Sequence, residues 1–156
     1  MHDHALKAVA LASAALFALA FTPLAESQDA EAPAQLEITI DGLRSDAGRV
    51  WVGVYASQED WDVQTETAQS WVEVEDGVAR VRFTGLPSGE VALQAFHDAN
   101  DNHDFDTNVL GIPRERYGFS NNPRPRFRSA DWEEAVFDLA PGEERDMTIT
   151  LQGARG

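Results

Sequence analysis

Short segments in which apolar and polar residues alternate constrain the fold of this chain more than any other feature. Leu36, Ile38 and Ile40 alternate with polar neighbours, and the three valines at 50, 52 and 54 repeat the pattern. A period of two places successive side chains on opposite faces of a strand, so each segment is predicted to be a β-strand. Five further segments, at residues 71–75, 78–84, 91–95, 135–139 and 147–151, resemble them.

Turn residues separate these segments at the roughly 8–12-residue spacing typical of β-sandwiches. Asp76-Gly77 lies between two alternating segments and predicts a two-residue hairpin, because both turn positions require positive φ. Helical signals are limited to about one turn near residues 58–61 and another at 129–134. About seven short strands without a long helix predict an all-β, antiparallel sandwich of two sheets.

The N-terminal region predicts export. Residues 8–21 form an apolar run that follows Lys7 and precedes Thr22-Pro23. The run is too short to span a membrane comfortably and matches the core of a signal peptide, with cleavage after Ala20 or Ala25. An uncleaved amphipathic or buried helix is the alternative.

We therefore divide the chain into a signal peptide (1–25), a flexible linker (26–35), a β-sandwich domain (36–151) and a C-terminal tail (152–156). The expected location is periplasmic or secreted, with no transmembrane anchor after cleavage. The chain contains no cysteine, so no disulfide supports the fold. Its formal net charge of −15 repels nucleic acid, which excludes nucleic-acid binding as the main function.

A polar stretch between the predicted strands, residues 98–122, is the candidate functional loop. Long polar loops inside compact domains are usually functional or disordered, and the apolar residues within this one favour order. Calcium prefers six to eight oxygen ligands, which alternating Asp and Asn side chains supply. The candidate calcium ligands follow the spacing of an EF-hand-like loop, with Asp98 at its first position. The third, fifth, seventh and ninth positions are then Asn100, Asn102, Asp104 and Asp106.

Two positions depart from that register. His103 occupies the place of the turn glycine, and Val109 occupies the place of the closing glutamate. A remote carboxylate or Asn108 would therefore have to complete the calcium shell. The alternative is a loop of Asx turns whose aspartates pair with the arginines that follow.

Two other sets of residues offer different functions. His97 and His103, with Asp98 or Asp104, could ligate a transition metal and support a metal-dependent enzyme. An anionic saccharide or carboxylate could bind to an arginine-rich segment, in which aromatic residues could stack on a sugar. The candidate residues of that segment are Arg114, Arg116, Tyr117, Arg124 and Arg126. Internal neutralisation of the acidic loop and of Glu133 and Glu134 is the alternative role of these arginines.

Three sequence motifs resemble a known family. They are Gly-x-Val-x-Val-x-Val-Tyr at 48–55, Leu-Pro-x-Gly at 86–89, and a string from Phe96 to Asn122 that begins Phe-His-Asp-x-Asn-x-Asn. Together they resemble the bacterial secreted family catalogued as domain of unknown function 2141, over residues 36–151. The resemblance implies an exported single domain of immunoglobulin- or transthyretin-like sandwich type, and it implies no known reaction.

The sequence lacks the combination of nucleophile, base and orienting group that covalent catalysis requires. We therefore predict a non-enzymatic binding or structural module of the cell envelope, with loop 98–122 ordered by calcium. The partner would be an unidentified envelope component or a saccharide. A metal-dependent enzyme using His97 and His103, and saccharide binding through the arginine segment, remain the alternatives.

Overall fold

A computed structural model describes residues 32–125 and 128–153. The predicted signal peptide, the linker up to residue 31, Arg126 and the last three residues lie outside these ranges. Within them the chain forms eight strands and two short helices. In chain order these are β1 (Ala34–Asp41), β2 (Arg49–Tyr55), α1 (Gln58–Val63), β3 (Ala68–Glu73), β4 (Ala79–Leu86), β5 (Gly89–Asp98), β6 (Arg116–Phe119), α2 (Trp132–Ala135), β7 (Phe137–Leu139) and β8 (Glu144–Thr150).

The strands form two sheets that pack face to face, so the predicted all-β sandwich is confirmed. One sheet has the order β4-β1-β8, and the other has the order β3-β2-β5-β6, with β7 pairing with the first residues of β5. The predicted hairpin is present, because Asp76 and Gly77 both have positive φ and Glu75 pairs with Val78. Neither helix of the described residues is long and apolar enough to cross a membrane.

One strand pair departs from the predicted antiparallel arrangement. β1 and β8 run parallel, in register from Gln35 opposite Glu144 to Asp41 opposite Thr150. The period of two determines which face of a strand is buried, and it carries no information about the direction of a neighbouring strand. β1 and β8 are separated by most of the domain, so no local turn reveals their pairing.

The sandwich core is built from the alternating rows. Leu36, Ile38 and Ile40 of β1 are fully buried, as are Val52 of β2 and Leu93 of β5. Each such side chain contributes about 1.5–3 kcal/mol of transfer free energy when it leaves water. Val91, Leu93 and Ala95 of β5 are all apolar because their side chains face this core.

An aromatic cluster covers the outer face of the five-stranded sheet. Trp51, Tyr55, Phe96 and Phe119 project from this face, and the two helices cover part of it through Trp61 and Trp132. β2 and β5 are consequently buried on both faces. This explains why the sequence of β2, RVWVGVY, is almost continuously apolar.

Other boundaries also differ from the predictions. β1 begins at Ala34, two residues before the predicted domain boundary, and residue 135 ends α2 instead of beginning β7. The predicted loop 98–122 contains the strand β6, which the sequence did not predict. β6 is only four residues long, and its pairing with β5 determines its conformation more than its own pattern does.

Candidate functional site

The candidate loop is the connection between two adjacent antiparallel strands. β5 ends at Asp98, β6 begins at Arg116, and the last register pair is His97 opposite Arg116. The segment 98–115, which we call the β5–β6 loop, is thus a long hairpin connection whose two ends lie side by side. This geometry brings residues far apart in sequence to the same end of the sheet.

Asp98 organises the first half of the loop. Its side chain is fully buried, and its two oxygens accept hydrogen bonds from the backbone N–H groups of Asn102 (3.1 Å) and His103 (2.8 Å). Asp101 and His103 adopt positive φ, a conformation that Asp and His tolerate better than most residues. The chain therefore wraps around a single carboxylate.

Asp106 is the hydrogen-bond acceptor at the centre of the second half of the loop. Its Oδ2 accepts hydrogen bonds from the side-chain amides of Asn100 (2.8 Å) and Asn102 (3.3 Å). Asn102 Oδ1 accepts the backbone N–H of Asp104 at 2.9 Å, while the Asp104 side chain is exposed to solvent. Four of the five predicted calcium residues, all except Asp104, thus belong to one hydrogen-bonded cluster.

Glu115 completes this cluster and was not among the predicted ligands. Its side chain accepts the backbone N–H groups of Asp106 (3.2 Å) and Ala99, and the residue is only 8% exposed. Burial raises the pKa of Glu115, and the negative charges of Asp98 and Asp106 raise it further. Since His97 pairs with Arg116, the next position along the hairpin places Glu115 beside Asp98. If the register of β6 against β5 had been known, it would have identified Glu115 as the remote carboxylate beside Asp98.

Asn108, the other residue considered for closing a calcium shell, has a different role. Its Oδ1 accepts the backbone N–H groups of Leu110 (2.9 Å) and Ile112 (3.0 Å), so it shapes the tip of the loop. Residues 107–113 form this tip, closed by a bridge between Thr107 and Pro113. Val109 is fully exposed and Leu110 is 78% exposed, so the tip presents apolar side chains to solvent.

A cation from β2 attaches the loop to the sheet. Arg49 forms a bidentate ion pair with Asp101. Its Nε donates to Oδ1 at 2.9 Å, and its Nη2 donates to Oδ2 at 3.2 Å. The pair raises the pKa of Arg49 and lowers the pKa of Asp101.

The Asx turns predicted for the loop are present in its side-chain to backbone hydrogen bonds. The predicted pairing with later arginines is not: within residues 32–125 and 128–153, none of those arginines forms an ion pair with a loop aspartate.

Aromatic contacts hold the loop against the outer face of the sheet. Phe105 packs against Phe96 and Tyr117, with ring centroids 5.2 and 5.9 Å apart, and His103 meets Trp71 edge-on at 4.8 Å. Aromatic pairs in such tilted geometries add about 0.5–1.5 kcal/mol each beyond area burial. The loop therefore has its own apolar attachment in addition to its hydrogen bonds.

The two histidines are not gathered into a transition-metal set. His97 is buried, and its Nε2 donates a hydrogen bond to the backbone carbonyl of Ala47 at 2.8 Å. His103 packs on the indole of Trp71. Among the described residues, no group of three or more His, Asp or Glu side chains is placed to hold a metal ion as it stands.

The arginine-rich segment is dispersed over several surfaces. Arg128 pairs with Asp131 (3.2 Å) and Glu134 (2.7 Å), which lowers the pKa of Glu134 and attaches this residue to α2. Arg114 is exposed, and Tyr117 belongs to the aromatic cluster on the outer face. Arg116 and Arg124 line a cleft of about 240 Å³ beside the end of β8. Arg126 lies outside the described residues.

The fold and loop define a class of protein: an all-β sandwich module with a long, hydrogen-bonded hairpin loop rich in carboxylates. The chain belongs to the family described as uncharacterized protein conserved in bacteria (DUF2141), whose profile matches residues 38–148. The resemblance predicted from the three motifs is thereby confirmed. Comparison with curated proteins and with solved structures finds no match to this chain.

Proposed function

We propose that this chain is an exported, non-enzymatic binding module of the cell envelope whose β5–β6 loop is ordered by a calcium ion. The signal-peptide features of residues 1–25 support export. One observation carries the calcium proposal: the carboxylates of Asp98, Asp106 and Glu115 lie in one cluster, and none of the three forms an ion pair among the described residues. Like charges that share a site repel, and a divalent cation relieves that repulsion.

The cluster supplies oxygen ligands of the kind that calcium prefers. Three carboxylates, together with the side-chain carbonyls of Asn100 and Asn102, approach the six to eight oxygens of a calcium shell. In the present arrangement both amides donate to Asp106 through their Nδ2 groups. Calcium binding would require these amides to rotate so that their oxygens replace their nitrogens.

This rearrangement accounts for the lack of a preformed metal site. Because the ion must displace existing hydrogen bonds, we place its dissociation constant at about 10⁻⁴–10⁻³ M, the range of extracellular modules. Such an affinity suits an exported protein. Calcium would then hold the base of the loop in one conformation and fix the position of the tip.

The tip is the proposed contact surface for a protein partner. Val109, Leu110 and Ile112 provide an apolar contact, and the exposed Asp104 of the same loop adds negative charge. A complementary partner would be a protein with an apolar pocket bordered by basic residues. A membrane rich in anionic lipid is disfavoured by the charge of this chain.

Thermal unfolding with and without calcium tests the ion. Calcium at millimolar concentration should raise the melting temperature, and Asp106→Asn should reduce that increase, because it removes a charged ligand. Asp62→Asn, an exposed substitution in α1 with the same change of charge, is the matched control and should respond as the parent does. Equal shifts in the two variants would contradict a site in the loop.

Envelope retention tests the contact surface. Leu110→Ser should release the protein from the isolated envelope fraction, and raising the salt concentration should do the same because the contact is partly electrostatic. Val63→Ser replaces another exposed apolar residue, 65% exposed on α1, and should leave retention unchanged. The tip would be excluded as the contact if both variants were retained equally.

The metal-dependent enzyme remains a distinct alternative and has its own test. Stoichiometric zinc, copper or iron in the purified protein, lost on substitution of His97 or His103, would replace the calcium proposal. The geometry gives this alternative little support, since Nε2 of His97 already donates to Ala47.

A further inference from the structure

Three arginines, Arg44, Arg116 and Arg124, lie at the end of the sandwich where β6 approaches β8. Arg116 and Arg124 line the cleft together with Asn122, Pro123 and residues 150–152. Arg44, from the turn between β1 and β2, adjoins Arg116. A Cβ placed on Gly153 would lie 3.6 Å from Arg44 Nη2 and 3.8 Å from Arg116 Nη1, so the two guanidinium groups border the same glycine.

None of these three guanidinium groups forms an ion pair within the described part of the chain. Acidic residues outnumber basic ones by 27 to 12, so carboxylate partners are abundant in this protein. Arg49, Arg82 and Arg145 each pair with one carboxylate, and Arg128 pairs with two. Arg80 and Arg114 also form no ion pair among the described residues, so the distinctive feature of the cleft is that Arg44 and Arg116 lie close together. Mutual repulsion disfavours this arrangement unless an anion is present.

The fold holds Arg116 in position while leaving donors unused. Its Nη2 donates to the backbone carbonyl of Leu151 at 2.7 Å, whereas its buried Nε has no hydrogen-bond partner among the described residues. The cleft wall is also well organised. The Asn122 side chain bonds to the backbone of Thr148 (2.9 Å) and of Thr150 (2.7 Å).

The shape and chemistry of the cleft restrict the ligand. Tyr117 follows Arg116 in β6 and so faces the opposite side of the strand, where it packs against Phe105. It cannot stack on a sugar bound in the cleft. The cleft is therefore a small volume bordered by arginine guanidinium groups. Their paired N–H donors suit a compact oxyanion better than a saccharide chain.

We propose that the cleft at Arg44, Arg116 and Arg124 binds a compact oxyanion with two negative charges, such as a phosphate or a dicarboxylate. Arg116 is the fixed member, and the exposed Arg44 and Arg124 close on the ligand from either side. The site is independent of the proposed calcium loop, since it shares no residue with the acidic cluster.

Titration calorimetry on the purified chain tests this proposal. Inorganic phosphate and succinate are the two probes, in buffer freed of divalent cations by a chelating resin and at constant ionic strength maintained with chloride. Saturable binding of either probe is expected, and the probe that binds more tightly identifies the phosphate or carboxylate character of the ligand. No saturable heat with either probe up to tens of millimolar would overturn the proposal.

Variants decide whether the binding resides in the cleft. Arg124→Gln and Arg44→Gln should each weaken binding roughly tenfold or more, the effect of losing a charged hydrogen-bond donor. Both side chains are exposed, so these changes spare the core. Arg80→Gln, an exposed position on β4, makes the same change of charge and should alter affinity less than twofold. Equal weakening in all three variants would show only general charge attraction and would overturn the site.

Discussion

Glu115 provides the sharpest test of the loop. Its carboxylate is buried beside two others, and its pKa is raised chiefly by burial and then by Asp98 and Asp106. A carboxyl group whose pKa is higher in the folded state stabilises the fold below its unfolded pKa. That contribution is lost as the pH rises through the folded value. Without calcium at pH 7, Glu115→Gln should therefore raise the free energy of unfolding, because a neutral amide keeps an oxygen acceptor for Asp106 N–H and removes the repulsion.

Calcium should stabilise the parent more than the variant. At calcium equal to ten times the dissociation constant, the parent gains about 1.4 kcal/mol, or about 5 °C in melting temperature for a domain of this size. If Glu115→Gln weakens calcium tenfold, the same calcium concentration equals its dissociation constant, and the gain falls to about 0.4 kcal/mol. The expected shift is then near 1.5 °C.

The assay is thermal unfolding of both proteins, with calcium and without, from pH 3 to pH 8. The advantage of the variant without calcium should vanish below about pH 4, where Glu115 is protonated in both states. Glu90→Gln, an exposed position in β5, is the matched control and should show neither effect. A variant less stable than the parent at pH 7 without calcium, or an unchanged calcium shift, would refute the reasoning.

Three further predictions concern the scaffold. Gly53→Ala should lower stability by about 1–3 kcal/mol in denaturant titration, because its Cβ would clash with Cη2 of Trp51, and no loss would show that the indole moves freely. Ser120→Ala should cost about 1–3 kcal/mol by the same measurement, since the buried hydroxyl accepts from Leu93 N–H (2.9 Å) and donates to the Ala135 carbonyl (2.5 Å); an unchanged midpoint would contradict this role. Asp101→Asn should lower the melting temperature at pH 7 and leave it unchanged near pH 2. Arg49 lowers the pKa of Asp101, so the stabilisation is present above the unfolded pKa and is lost as the pH falls; a pH-independent difference would argue against the ion pair.

The sequence was most informative where local chemistry determines structure. The alternating rows of β1 and β2 predicted both the strands and their buried faces, and Asp76-Gly77 predicted its hairpin. The helical turn predicted near residues 58–61 coincides with the start of α1, where the Ser57 hydroxyl accepts the backbone N–H of Asp60 at 3.1 Å. Each of these signals acts within a few residues.

Pairing between distant segments could not be predicted in this way. The parallel contact of β1 with β8 and the strand β6 depend on partners far along the chain. Glu115 was missed for the same reason, because only the register of β6 against β5 places it beside Asp98. Arg44 was missed because a turn signal between β1 and β2 does not reveal that the turn lies beside Arg116.

Calcium titration calorimetry of the purified chain tests the central proposal most directly. We predict one calcium ion per chain with a dissociation constant of about 10⁻⁴–10⁻³ M, weakened at least tenfold by Glu115→Gln, with little heat from magnesium because its shell demands stricter geometry. No saturable calcium binding up to tens of millimolar would contradict the account. The β5–β6 loop would then be ordered by its hydrogen bonds, its aromatic contacts and the Arg49–Asp101 pair, without an ion.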